Sequence, residues 1–216
     1  MSQRDVMDAY RERAGEYTQL LGSLDATAAA DQDLISAWGS SLDGPAVDAG
    51  CGPGHWTKFL RDQGVAVEGI DMVPEFLAEA SARFQDVPFR SGTLEALPVP
   101  DGSLAGILAW YSLIHLPPAS VHGVLTGFAR SLRPGGSLLL GFFEGARVAP
   151  FAHAVVTAYF WPVPAMHPLL AAAGFDVIET NTRTDPGHRP HAAVLARRQS
   201  RTAASMRLRN SSVLDG

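Results

Sequence analysis

Gly50, Gly52 and Gly54 stand at alternate positions between a short apolar run, Ala46 to Ala49, and a stretch that reads as a helix, His55 to Gln63. Glycine at such positions lets the backbone turn sharply and approach a ligand with no Cβ in the way. The loop delivers the chain to a helix N-terminus, whose free amides favour an anionic group such as a carboxylate. Asp71 closes the next apolar run, Val65 to Ile70. A carboxylate there can accept hydrogen bonds from both hydroxyls of a ribose, and it would repel a ribose phosphate. A glycine triplet alone is a turn that any α/β protein could carry; the triplet with Asp71 is a much stronger signal.

A second group lies further on. His115 follows Trp110-Tyr111-Ser112-Leu113-Ile114 at the carboxyl end of a predicted strand, where ligands bind in open α/β sheets. Its ordinary pKa, about 6.5, suits proton removal near neutral pH. It is the candidate base, although a histidine here can equally hydrogen-bond nearby backbone. Tyr111 is either a second polar group of the site or a packed aromatic. Glu144 could bind an amine or merely solvate its loop. His167, His188 and His191 show no ligand spacing with one another, so no metal is expected.

The elements that must position these residues alternate. Residues 4–20 and Asp31 to Trp38 read as helices, Asp43-Gly44-Pro45 as a turn, and then strand, loop and helix repeat. Leu104 to Trp110 is almost wholly apolar, as a strand covered on both faces would be. Arg133-Pro134-Gly135-Gly136 reads as a tight turn before a fifth strand, Ser137 to Phe143. Phe175 to Thr182 and Ala192 to Arg197 are the last two strands. This rhythm predicts an α/β fold with a doubly wound, mostly parallel seven-stranded sheet and helices on both faces.

Composition narrows the class. The chain has 216 residues, 46% of them hydrophobic, enough for one α/β domain with extensions. A net charge of -5 argues against a nucleic-acid partner. The charge is uneven: residues 197–216 hold five arginines and one acid, and the chain before them carries -9. A solvated, flexible tail is the expected reading of that end, 199–216. A single cysteine, Cys51, excludes a disulfide framework and suits a reducing, cytoplasmic setting. The first residues are charged and lack the apolar run of a signal peptide. Val148 to Met166 is uncharged, but three prolines and a histidine make a spanning helix a poor reading, and no membrane partner is expected.

Four segments carry a resemblance. VDAGCGPG is similar to the first motif of class I S-adenosylmethionine-dependent methyltransferases, and GIDMVPEFLAEA to their second, acidic motif. LPVPDGSLAGILAWYSLIHL resembles the stretch through their fourth strand, and LRPGGSLLLGFF their turn and fifth strand. The resemblance runs over residues 5 to 197, in order, and favours this cofactor over a nicotinamide one. It implies a Rossmann-like fold with an N-terminal helical lid over residues 1–42. The methyltransferase domain would occupy 43–198, with a cap insertion at about 144–165. It also implies S-adenosyl-L-methionine as cofactor and S-adenosyl-L-homocysteine as product. Gly50, Cys51, Gly52 and Gly54 would line the methionine part, and Asp48 would stand beside its amino group or support the loop. Asp71 would hold the ribose, and Met72 would pack on the adenine with Gly92, Thr93 and Leu94 on its other side. Relatives often have Asp where Thr93 stands. Trp110 would line the cofactor, and Tyr10 and Tyr17, on one face of the lid helix, would reach the cofactor or the acceptor. Each of these positions also has a packing role open to it, Tyr10 and Tyr17 above all.

The expected activity is methyl transfer to a small molecule. The cap supplies Phe151, His153, Tyr159, Phe160 and Trp161, a wall suited to an aromatic or lipophilic acceptor, with Phe151, Tyr159, Trp161 and Glu144 as its candidate contacts. The same apolar cap could be a cover or a homodimer contact. Two alternatives remain: a methyltransferase of protein or RNA, and a non-catalytic S-adenosylmethionine-binding module.

Overall fold

The structure, a computed structural model, describes residues 3–200. The arginine-rich segment predicted to be a flexible tail lies, from residue 201 onward, outside the described residues.

Two helices lead in, α1 (Gln3–Leu21) and α2 (Ala29–Ser40). Strand, loop and helix then alternate through β1 (Ala46–Ala49), α3 (His55–Asp62), β2 (Val67–Asp71), α4 (Pro74–Arg83), β3 (Phe89–Ser91), β4 (Leu104–Trp110), α5 (Pro118–Ser131) and β5 (Leu132–Phe143). A two-stranded hairpin follows, β6 (Ala149–Phe151) and β7 (Ala158–Phe160), and then α6 (Val163–Ala172), β8 (Phe175–Arg183) and β9 (His191–Arg198). The main sheet has seven strands in the order β3-β2-β1-β4-β5-β9-β8. The first five are parallel; β9 runs antiparallel to both β5 and β8. The mostly parallel, Rossmann-like sheet expected from the alternation is therefore present.

The order reverses between β1 and β4. Connections from these two strands leave in opposite directions and open a crevice at their carboxyl ends, the place where such sheets bind ligands. Both faces of the sheet are covered. Leu108 and Leu139 meet Ile35, Trp38, Trp56 and Leu60 on the α2–α3 side, while Ile107, Leu138 and Leu140 meet Val121, Leu125 and Phe128 of α5 on the other. Burial on both faces explains why β4 is apolar without alternation. A smaller cluster fixes α1: Ala14 packs with Phe76 and Val73 of the α4 region, flanked by Met7, Tyr10 and Tyr17.

Two expectations change in detail. The Arg133–Gly136 turn lies within β5 rather than before it. Leu104 pairs with Leu132 and Gly106 already pairs with Ser137, so the turn bulges out of a strand that begins earlier. Gly135, at φ 78°, supplies the left-handed bend. Within the cap segment, the apolar run forms the β6–β7 hairpin and the first turn of α6, with Pro162 to Pro164 at the helix start where proline is tolerated. No helix among the described residues is long and apolar enough to cross a membrane.

Candidate active site

The loop after β1 is tied to β2 through its backbone: Gly50 N and Cys51 N both donate to Ile70 O, at 2.7 and 3.1 Å. Gly50, Gly52 and Gly54 all have positive φ. At Gly50 a Cβ would stand 2.5 Å from Ser112 Cβ, so only glycine lets the loop meet the β4 exit. At Gly52 a Cβ would meet nothing within 4 Å, and the residue faces a cavity. Gly54 differs from the expectation. It is not among the residues lining the cavity; a Cβ there would strike the Phe89 ring and crowd Ala80, so glycine lets the loop pack closely on β3 and α4.

Two buried carboxylates support this loop. Asp71 accepts from Gly52 N on one oxygen and from Val73 N on the other, both at 2.8 Å. Burial raises its pKa, against the pull of those backbone donors. Each oxygen keeps a lone pair for a further donor. Asp48 accepts from the Thr57 hydroxyl at 2.7 Å, which ties β1 to α3. Burial pushes its carboxyl up to about 7, the Thr57 hydrogen bond working against this.

The cavity holds about 760 Å³ at the carboxyl ends of β1, β2, β4 and β5. Of the residues singled out by sequence, Asp48, Gly50, Cys51, Gly52, Asp71 and Met72 line it. Gly92, Thr93, Leu94, Trp110, Tyr111 and His115 line it too, and so do Tyr10 and Tyr17, which pack beside Met72 and Phe76. The four acceptor contacts expected from the cap, Glu144, Phe151, Tyr159 and Trp161, are not among the residues lining this cavity. Phe151 stacks on Phe160 with ring centroids 4.2 Å apart, Tyr159 N donates to Ile114 O, and Trp161 is buried in the core beside β5. Glu144 N is held by Pro190 O. From the cap, the residue that does face the cavity is His153.

His115 sits in a defined hydrogen-bond chain. Its Nδ1 lies 2.9 Å from Thr157 O, and its Nε2 lies 2.7 Å from Tyr10 Oη. A carbonyl can only accept, so Nδ1 carries the proton. Burial lowers the pKa of this imidazole, which leaves it neutral and Nε2 bare. Tyr10 therefore donates to Nε2. The His153 ring lies edge-on at 5.2 Å, and burial lowers its pKa to about 4.

Several residues of the cavity were not singled out for this role from sequence. Phe143, at the end of β5, sits 4.9 Å from the Tyr111 ring. Tyr111 has φ 55°, a left-handed conformation that is rare outside glycine and costs of order 1 kcal/mol. Its hydroxyl is hydrogen-bonded to His191 Nδ1 on β9. Arg183 at the end of β8 forks onto Asp31 of α2 at 2.7 and 3.2 Å. Three buried polar atoms of the lining, Ser112 Oγ, His55 Nδ1 and His153 Nδ1, have no partner. His55, directly after the glycine loop, was legible as a candidate; His191 and Arg183 come from distant strands and carry no local signal.

A family model described as a methyltransferase domain matches residues 46–136, which include the glycine loop, Asp71 and His115. This match covers less than half of the chain and supports a class I methyltransferase. The chain is 31% identical over 130 residues to malonyl-[acyl-carrier protein] O-methyltransferase of Serratia marcescens, covering 58% of this chain and 50% of that one. It is 38% identical over 110 residues to demethylmenaquinone methyltransferase of Tropheryma whipplei, covering 49% and 45%. The chain thus spans about half the length of these relatives. Over most of its length its fold is similar to that of 1,6-didemethyltoxoflavin-N1-methyltransferase of Burkholderia thailandensis. The TM-score is 0.74 and the identity 22%, covering 93% of this chain and 92% of that one, in a structure holding S-adenosylhomocysteine.

Proposed function

We propose that this chain transfers the methyl group of S-adenosylmethionine to a small aromatic or lipophilic acceptor. The observation that carries the reading is one continuous cavity. Its first half is the glycine loop with Asp71, and its second half is lined by Tyr111, Phe143 and His153 around His115.

The residues present fit the cofactor. The open space at Gly52, the remaining lone pairs of Asp71 and the unpartnered polar atoms of the lining all await a ligand with hydroxyl and charged groups. Asp71 would take the ribose hydroxyls, Met72 and Leu94 the faces of the adenine, Asp48 the amino group, and the amides leading into α3 the carboxylate. S-adenosylmethionine supplies an electrophilic methyl on a sulfonium that leaves as a neutral thioether. What remains for the protein is alignment, exclusion of water and removal of an acceptor proton. Alignment alone can lower such a barrier by roughly 7–11 kcal/mol. α1 and α2 act as the lid over a catalytic domain of residues 43–198, and His115 is the base. The acidic body and the single buried Cys51 favour a cytoplasmic enzyme of small molecules without a nucleic-acid partner. The small acceptors named in the relatives' descriptions support the same class.

The test is incubation with S-adenosylmethionine and a panel of phenols, amines and carboxylates, read by mass spectrometry. The reading predicts a methylated acceptor together with S-adenosylhomocysteine. Tight binding of the cofactor with no transfer to any panel member would favour a binding module instead.

A further inference from the structure

We propose that the acceptor is a ring-bound hydroxyl compound, that Tyr10 is the group meeting its proton, and that Tyr10 passes its own proton to His115. This deepens the methyltransferase reading and rests on it.

Three observations carry it. First, the only bare nitrogen of His115 is not open to an acceptor, because Tyr10 Oη occupies it at 2.7 Å. Second, the other nitrogen is committed to Thr157 O at 2.9 Å, which fixes the imidazole's tautomer and orientation. Third, no group among the described residues donates a hydrogen bond to Tyr10 Oη, whose lone pairs are therefore available, and Tyr10 itself lines the cavity. The ring is held for this. Tyr17 and Phe76 lie 5.5 and 5.7 Å from it, and the His115 ring is edge-on at 5.4 Å. The neighbouring surface, Phe143, Tyr111 and His153, presents rings to a planar acceptor.

The protons balance. The acceptor's O–H bond breaks and its proton goes to Tyr10 Oη. The Tyr10 O–H bond breaks in the same event and that proton goes to His115 Nε2. The acceptor oxygen keeps the electron pair, which forms its bond to the incoming methyl. His115 becomes an imidazolium, stabilised by its Nδ1–H on the Thr157 carbonyl, and after product release the proton returns from Nε2 to Tyr10 Oη as Tyr10 gives its own to water in the emptied cavity. No free tyrosinate forms, in keeping with the burial that raises the Tyr10 pKa.

The experiment uses two phenols of matched size class, unsubstituted phenol and pentafluorophenol, the second already ionised at neutral pH. The variants are Tyr10→Phe, which keeps the ring packing, and His115→Gln, which keeps a donor for Thr157 O. Both variants are expected to slow methylation of phenol about 10²-fold. Both should change pentafluorophenol little and leave the calorimetric affinity for S-adenosylhomocysteine within about twofold. Equal losses on both phenols would reduce Tyr10 to a lid residue. Full activity of Tyr10→Phe on phenol, with His115→Gln impaired, would make Tyr10 a plug and overturn the relay. Imidazole 15N spectra give a readout free of turnover: the relay requires the His115 proton on Nδ1, and a proton on Nε2 overturns it. A wild-type protein that binds S-adenosylhomocysteine but methylates neither phenol contradicts this inference, whereas one that does not bind S-adenosylhomocysteine contradicts the methyltransferase reading itself.

Discussion

Asp48 and Asp71 are both buried acids beside the same loop, yet their surroundings differ. Asp71 receives two backbone N–H groups, which favour its charged form. Asp48 is held by Thr57 alone, through its hydroxyl and its backbone N–H, and burial pushes it up to about 7, so near neutral pH it is divided between its two forms. A ligand with an ammonium group next to Asp48 stabilises the carboxylate and expels the proton. Binding of S-adenosylhomocysteine is therefore expected to strengthen as pH rises through about 7, with a fraction of a proton released. Calorimetry in buffers of different ionisation enthalpy measures that release. In Asp48→Asn the buffer dependence should vanish; wild-type binding that ignores the buffer would remove Asp48 from the amino-group role.

At the scale of elements, the site depends on α1 and α2 staying over the sheet. α1 is held by the ring cluster around Phe76 and by Tyr10, but α2 is held to the far edge of the sheet by the Asp31–Arg183 fork. Both side chains are largely shielded, 15% and 25% exposed, so this pair is worth more than a surface ion pair. Asp31→Ala should loosen α2 by about 1.5–3 kcal/mol. Amide exchange over residues 29–40 should then quicken about 10- to 100-fold; unchanged exchange would mean that packing of Ile35 and Trp38 alone holds the helix. This contact also marks the limit of what the sequence shows. The glycine loop, Asp71 and the His115 position are local patterns within one strand–turn–helix rhythm, and turn chemistry fixes them. Arg183 meets Asp31 across 152 residues, and His191 meets Tyr111 across 80, only because β9 inserts antiparallel between β5 and β8. Nothing in the spacing encodes that register. The cap is hard to read for a related reason: its short run has no clear period, and the hairpin pairing that sets Phe151 on Phe160 is fixed by the turn between them.

Across the whole molecule, β4 is the axis on which fold and function meet. It lies between β1 and β5, its middle is fully buried, and its carboxyl end carries Trp110, Tyr111 and, a turn later, His115. Leu108→Ala removes contacts with the α2–α3 layer and should cost about 2–5 kcal/mol in denaturant unfolding. The folded variant should bind the cofactor as before, since Leu108 does not line the cavity. A loss of affinity as large as the loss of stability would mean that the two halves of the molecule are not separable in this way.

The central claim is that the loop and Asp71 hold S-adenosylmethionine. Calorimetric titration with S-adenosylmethionine, S-adenosylhomocysteine and NAD, on the wild-type chain and on Asp71→Ala, tests it most directly. The account predicts micromolar binding of both sulfur compounds, no heat with NAD, and a loss of about 1–3 kcal/mol in the variant. Binding of NAD in their place, or sulfur-compound affinity indifferent to Asp71, would contradict it.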